Sequence, residues 1–186
     1  MIDDVLSEME SRMDKAVQAF RGDLMTIRTG RASPALVEKI QVEAYGGASL
    51  PLNQMATISA PDASLLTIRP WDANTLSAIE KAILKSDVGL TPTNDGRMIR
   101  LSIPSLTEER RKELVRVVSK RAEEARVAIR NARRDSLQDL KEFQGESLIT
   151  EDEYHQTKDR VQEATDGFIE RIDEIADLKE KEILEV

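Results

Sequence analysis

Four closely spaced arginines are the residues of this chain best suited to bind a charged ligand. They are Arg126, Arg130, Arg133 and Arg134, within the segment 125–135. On a helix the spacing i, i+4, i+7 and i+8 places them on one side, where like charges repel by about a few tenths of a kcal/mol per pair. Guanidinium groups bind phosphate in a bidentate manner. The stretch therefore predicts a surface that binds the backbone of RNA or DNA.

These arginines belong to a longer basic sector in the segment 107–144. Eight basic residues fall within about 140° of a helical wheel, with Glu123 as the one acid among them; the eight are Lys112, Arg116, Lys120, Arg126, Arg130, Arg133, Arg134 and Lys141. The alternative is a solvated face tied together by ion pairs one helical turn apart. Because few acids of the helix lie on this side, we favour an external polyanion.

Residues that could catalyse a reaction are scarce. The chain contains no cysteine, which excludes disulfides and thiolate chemistry, and one histidine, His155, which we expect to be solvated and ion-paired. The acids at 151–153 suit the first turn of a helix better than a metal site. Gly46 and Gly47 fit a turn, because the lysine and hydroxyl residue of a phosphate loop do not follow them. We expect no catalytic residue, no metal and no cofactor.

Three segments have the apolar period of long amphipathic helices. The first covers 2–27, the second runs from a predicted capping box at 105–108 to about residue 144, and the third starts at a capping box at 150–153. Each has one main apolar stripe, so three helices bury one another as a bundle, with Gly145 in a short antiparallel connection. A coiled-coil adaptor that binds another protein's helix is the alternative, but it would need a spare stripe.

The region between the first two helices differs from them in composition and in hydrophobic pattern. It contains all six prolines, strand-like runs at 40–45, 56–59, 65–69 and 98–103, and a helical pattern at 72–85. The fold class is therefore α+β: an elongated three-helix bundle formed by 1–29 and 105–186, with a small β/α/β domain inserted at 30–104. We expect the single tryptophan, Trp71, to pack inside this insert rather than to stack on a base.

The two chain crossings between these domains predict a hinge. Glycine and proline there leave room for a rigid-body swing, and the residues assigned to it are Thr29, Gly30, Arg31, Pro104 and Ser105.

The net charge hides a segregation along the chain. The total of −8 argues at first against a nucleic-acid partner. However, 145–186 carries 14 acids and 5 bases, whereas 107–144 carries 11 bases and 8 acids. The negative charge thus belongs mainly to the third helix, and the second remains a candidate for binding RNA. No apolar run reaches the length of a membrane span, and the acidic N-terminus differs from a signal peptide, so we expect a cytoplasmic protein.

Several motifs resemble those of ribosome recycling factor over the full chain. They are MDKAV at 13–17, IRTGRASP at 27–34, EKAI at 80–83, LTEERRK at 106–112 and ARVAIRNARRD at 125–135. The resemblance implies an L-shaped, tRNA-like molecule in which a three-helix bundle is joined by a flexible hinge to a β/α/β domain. It implies binding to the post-termination 70S ribosome and its separation into subunits with elongation factor G and GTP.

The resemblance also assigns roles to individual residues. The arginines that contact large-subunit rRNA fall on Arg111, Arg130 and Arg133, and the hinge falls on 28–31 and 104–105. The second domain would face elongation factor G, which hydrolyses the GTP. We expect this chain to act as a monomer without chemistry of its own.

Overall fold

The computed structural model describes residues 1–185, which form two compact units. Residues 1–28 and 108–185 make the helical unit, and residues 29–107 make the α/β unit. The predicted α+β class is confirmed. Thr29 and the segment 105–107, which the sequence analysis assigned to the bundle, lie in the α/β unit. None of the helices within residues 1–185 is long and apolar enough to cross a membrane.

The helical unit consists of three long helices: α1 (Ile2–Met25), α3 (Glu108–Gly145) and α4 (Glu151–Leu184). Their apolar stripes are buried against one another; the fully buried residues include Met9, Met13, Val17, Phe20, Val118, Ile129, Leu140, Val161, Ile172 and Ile183. Ion pairs Asp3–Arg160 and Asp14–Arg171 show that α1 and α4 run in parallel. The antiparallel α3 completes the predicted bundle, which uses the main stripe of each helix.

The ends of α3 and α4 show which terminal signals were correct. The capping box between Thr150 and Glu153 is present and starts α4. The one predicted at Ser105 is wrong, because α3 begins only at Glu108. After α3, the residue in the left-handed conformation is Ser147, with φ 59°, rather than Gly145. The Leu148 amide donates to the Phe143 carbonyl across 2.8 Å and closes the helix end.

The α/β unit contains two antiparallel sheets. Strands β1 (Gln41–Glu43) and β2 (Ser49–Pro51) pair with each other. The larger sheet has the order β3-β4-β6-β5, formed by β3 (Ala56–Asp62), β4 (Leu65–Pro70), β5 (Pro92–Asn94) and β6 (Ile99–Ser102). Helix α2 (Leu76–Lys85) packs its buried Ile79 and Ile83 in the same core as Leu66, Ile68, Ile99 and Leu101. Single 3-10 turns occur at Pro34–Leu36, Tyr45–Gly47, Leu52–Gln54 and Ala73–Thr75.

All four strand-like runs correspond to strands, but two strands were missed. Strands β2 and β5 have three residues each and contain proline, which cannot donate to a ladder, so neither has a readable period. The predicted helix at 72–85 is a 3-10 turn followed by α2, with the Asp72 carboxylate accepting from the Asn74 amide across 3.0 Å.

One expectation about packing is wrong. Trp71 does not pack in the core, since 67% of its surface is exposed. Gly22 of α1 faces open space, because a Cβ built there meets no heavy atom within 4 Å.

Candidate nucleic-acid interface

Helix α3 orients its arginines by burying an apolar stripe that consists mainly of alanines near the arginine cluster. Ala122, Ala125, Ile129 and Ala132 are all buried in the helical unit, which fixes the rotation of α3 about its own axis. The neighbouring arginines then lie at the margins of this stripe and are exposed to different degrees. The exposed side-chain fraction rises from 26% for Arg126 through 41% for Arg130 to 72% for Arg134.

Glu123 binds two of the four arginines. Its carboxylate accepts from Arg126 Nη1 across 3.2 Å and from Arg130 Nη2 in a closer contact. The hydrogen bond from Arg130, and then the one from Arg126, hold the pKa of Glu123 below its ordinary value. The one acid in the basic sector therefore acts as a clamp within it and offsets part of its charge.

Arg126 has a second partner, on α4. Its Nε and Nη2 lie 2.9 and 2.6 Å from Asp173 Oδ1. Partial burial on its own would lower the pKa of Arg126, but the hydrogen bonds of Asp173 and Glu123 outweigh burial and raise it. Acids are few on this side of α3, as expected, and Arg130 pairs with the one acid that was predicted there, Glu123. For Arg126 the expected lack of a partner is wrong, because the count of acids along one helix could not include Asp173 of α4.

The charges of Arg133 and Arg134 are less neutralised by carboxylates of the chain than those of Arg126 and Arg130. Arg133 forms no salt bridge within residues 1–185, and its Nη1 lies 3.5 Å from the neutral side chain of Gln162. Arg134 lies 3.5 Å from Asp135 Oδ1, whose carboxylate is bound at 2.8 Å by Arg12 of α1. The hydrogen bond from Arg12 lowers the pKa of Asp135, with a smaller contribution from the charge of Arg134. Arg12 thus neutralises much of the negative charge of Asp135, the acid next to the cluster.

Arg111 lies apart from the other four predicted arginines. It is in the first turn of α3, fifteen residues before Arg126, which corresponds to about 22 Å of helix. Its Nε is buried and has no hydrogen-bond partner within residues 1–185. The structure thus brings together Arg126, Arg130, Arg133 and Arg134, and it places Arg111 at a separate point on the same helix.

The predicted hinge residues surround one close contact. Thr29 is buried and Gly30 has φ 72°, whereas Arg28, Arg31, Pro104 and Ser105 are exposed. A Cβ built on Gly30 would lie 2.9 Å from Leu106 Cγ, so the two chain crossings pack together inside the α/β unit. Leu106 was not predicted, since its role depends on this contact rather than on any local pattern.

Little in the described residues suggests a different kind of site. His155 is exposed, with its Nε2 3.7 Å from Glu151 Oε1, as expected for a solvated histidine. Within residues 1–185 no cluster of histidine, aspartate and glutamate is arranged to hold a metal ion.

Known proteins with related sequences and structures share one description. A family profile described as Ribosome recycling factor matches residues 20–184. The chain is 56% identical to the ribosome-recycling factor of Roseiflexus sp. (strain RS-1) and 52% identical to that of Bacillus subtilis (strain 168), over 186 residues and the full length of both proteins in each pair.

Two solved structures are similar over nearly the whole chain. One is a solution structure of the ribosome recycling factor, with a TM-score of 0.77 and 44% identity, covering 100% of this chain and 98% of that one. The other contains the T. thermophilus ribosome recycling factor and E. coli elongation factor G bound to the E. coli post-termination complex. It has a TM-score of 0.64, 48% identity and 99% coverage of both chains.

Proposed function

The chain belongs to the ribosome recycling factor family, and on that basis we propose that it binds the post-termination 70S ribosome and, together with elongation factor G, separates the subunits. It is a translation factor that supplies shape, charge and a hinge. In this proposal the GTP is hydrolysed by elongation factor G, and the chain works in the cytoplasm as a monomer, without catalytic residues or a cofactor.

The basic sector of α3 is the surface we assign to large-subunit rRNA. The observation that carries this assignment is the state of two arginines: Arg133 forms no salt bridge within residues 1–185, and Arg134 has only the long 3.5 Å contact with Asp135, which it shares with Arg12. Phosphates of rRNA would supply the missing counter-charge. Arg130 is half-exposed and shares Glu123 with Arg126, so it can exchange this carboxylate for a phosphate.

We assign Arg126 a different task. Since Arg126 is largely buried and makes two hydrogen bonds to Asp173 of α4, its main role is to fix α3 against α4. It thereby keeps the other arginines of the basic sector in place. Arg111 would provide a second rRNA contact about 22 Å away along α3. Its Nε is buried and has no hydrogen-bond partner within residues 1–185. After a small rotation of the side chain, this group could donate a hydrogen bond to an oxygen of a phosphate or a base.

The two compact units are proposed to act as the two domains of the factor, joined by a hinge at 28–31 and 104–105. Because Gly30 and Leu106 pack together inside the α/β unit, we narrow this hinge to Arg28 and Thr29 on the first crossing. On the second crossing we move it from 104–105 to Thr107 and Glu108, where the α/β unit ends. Elongation factor G would act on the α/β unit.

The test is subunit separation followed by light scattering. Post-termination 70S ribosomes should lose scattering when this chain, elongation factor G and GTP are all present, and keep it when any one of them is omitted. Scattering that stays constant with all three components would contradict the proposal.

A further inference from the structure

We propose that the outer face of the four-stranded sheet binds an unpaired RNA nucleotide, with Trp71 stacking on the base and Arg69 binding the phosphate. This surface lies in the α/β unit and uses no residue of α3. It therefore goes beyond the rRNA contact assigned above, and either one can be wrong without the other.

Trp71 is exposed but firmly held. It retains 67% of its surface in solvent, although its indole Nε1 donates to Thr57 Oγ1 across 2.9 Å. Its backbone amide donates to the Met55 carbonyl across 3.1 Å, which extends the β3–β4 pairing past the end of β4. The polar edge of the ring is satisfied by the protein, and the apolar remainder is left to another partner. A fixed aromatic ring loses little entropy when a base stacks on it.

Arg69 is the nearest cation on the same face. It is the direct cross-strand neighbour of Thr57, the residue that holds the indole. It precedes Trp71 by two residues, so both side chains emerge on one side of the strand, about 6.6 Å apart at the backbone. Arg69 is exposed and has neither a hydrogen bond nor a salt bridge within the part of the chain that the structure describes. The pair thus offers a stacking ring beside an unneutralised guanidinium.

The rest of this face is polar apart from Leu65 of β4, and it adds one more cation. Leu66, Ile68, Ile99 and Leu101 point into the core, so the alternate residues of β4 and β6 point outward. Thr67 and Thr93 both lie opposite Arg100 on neighbouring strands and provide hydroxyls along the sheet. Arg100 is only loosely paired, with its Nη2 3.6 Å from Asp95 Oδ2.

RNA fits this combination better than a protein partner does. A sheet face that carries an aromatic ring, arginines and hydroxyls matches the means by which proteins bind single-stranded RNA: stacking, phosphate contacts and hydrogen bonds to base edges. A stable protein interface would need an apolar centre of several side chains. Here Trp71 supplies a single exposed ring among polar neighbours, which suits one unstacked base.

The single tryptophan makes the site directly measurable. The intact protein is titrated with a short oligouridylate at low ionic strength, and Trp71 fluorescence is recorded beside the anisotropy of labelled RNA. We expect saturable quenching, with an affinity that falls as salt rises. By anisotropy, Trp71→Ala should weaken binding at this site about 10-fold, and Trp71→Phe should retain most of it, since stacking is lost in the first variant only. Arg69→Gln should weaken binding and reduce the salt dependence.

The matched control is Lys85→Gln, which removes one exposed positive charge from α2, on the core side of the sheet. It should leave the quenching curve unchanged, and circular dichroism of each variant should match that of the parent chain. These outcomes are read in a chain that also carries Arg133→Ala and Arg134→Ala, which weaken the RNA contact assigned to α3. The proposal is overturned if RNA then saturates anisotropy without quenching Trp71, or if adding Trp71→Ala leaves the affinity unchanged. It is equally overturned if inorganic polyphosphate, which has no bases, quenches as strongly as RNA.

Discussion

Breaking the link between Arg126 and Asp173 should weaken the helical unit measurably. The two side chains join the middle of α3 to α4 through two contacts, at 2.9 and 2.6 Å. Arg126 has 26% of its side chain exposed and Asp173 has 50%. Both Arg126→Ala and Asp173→Ala remove the link, and the first also deprives Glu123 of one of its two arginines.

The magnitude follows from the degree of exposure. Fully exposed ion pairs contribute about 0.2–1 kcal/mol, and breaking a buried pair costs about 3–5 kcal/mol. This pair lies between those limits and nearer to the exposed one, so we expect a coupling energy of about 1 kcal/mol in a double-mutant cycle. The matched control is Asp14–Arg171, whose 3.9 Å separation and exposure above one half predict less than about 0.5 kcal/mol.

Urea unfolding followed by circular dichroism at the helical band measures these energies, because most helical residues belong to this unit. The four chains of each cycle are compared at one pH and one salt concentration. If the Arg126–Asp173 cycle is additive within error, or if its coupling energy does not exceed that of Asp14–Arg171, then Arg126 does not fix α3 against α4. Its assignment as a positioning residue would fail.

Further substitutions at Gly22, at the N-cap of α4 and at Gly30 have expected outcomes. Gly22→Ala should raise the free energy of unfolding by about 0.5–1 kcal/mol in urea denaturation, since the added methyl group meets open space and alanine favours the helix; a loss of stability would contradict this. Thr150→Ala should cost about 1 kcal/mol by removing the N-cap of α4. Hydrogen bonds from the Thr150 amide, and then from its hydroxyl, lower the pKa of Glu153. The stability that the Glu153 carboxylate contributes is therefore present above its unfolded-state pKa and is lost as pH falls through its folded-state pKa. Glu153→Gln should lose less stability than the parent between neutral pH and about pH 3, and equal losses would refute the link. Gly30→Ala should destabilise the α/β unit by about 1–2 kcal/mol in urea unfolding, because its Cβ meets Leu106 and its φ is positive. Adding Leu106→Ala to the same chain should relieve the clash and leave the cost of the positive φ. Full recovery of stability would show that the positive φ costs nothing.

The long helices could be predicted because their signals are local and repeated. A single apolar stripe recurs over many turns of α1, α3 and α4, and the capping box at Thr150 lies within four residues. Short elements offered no such repetition. Strand β2 has three residues, so it exists because β1 pairs with it rather than because its own residues alternate.

The sequence was sufficient to predict which arginines form the candidate interface. It was not sufficient to predict which of them are neutralised by carboxylates. Periodicity along α3 located Arg133 and Arg134, but it could not show that Asp173 reaches Arg126 from α4 or that Arg12 takes Asp135. These contacts depend on the register of three helices, which no single helix contains. The opposite failure occurred at Trp71, where composition favoured burial and the hydrogen bond to Thr57 holds the ring outside the core.

The assignment of the basic face is tested most directly by the salt dependence of binding to the large ribosomal subunit. Arg133→Ala should weaken binding and reduce the slope of log affinity against log salt by about one phosphate contact. The matched control is Arg121→Ala on the same helix, whose arginine lies outside the basic sector and pairs with Glu124 at 3.0 Å; it should keep the parental slope. An Arg133→Ala chain with unchanged affinity and slope, or an equal loss in Arg121→Ala, would contradict an rRNA contact through this face.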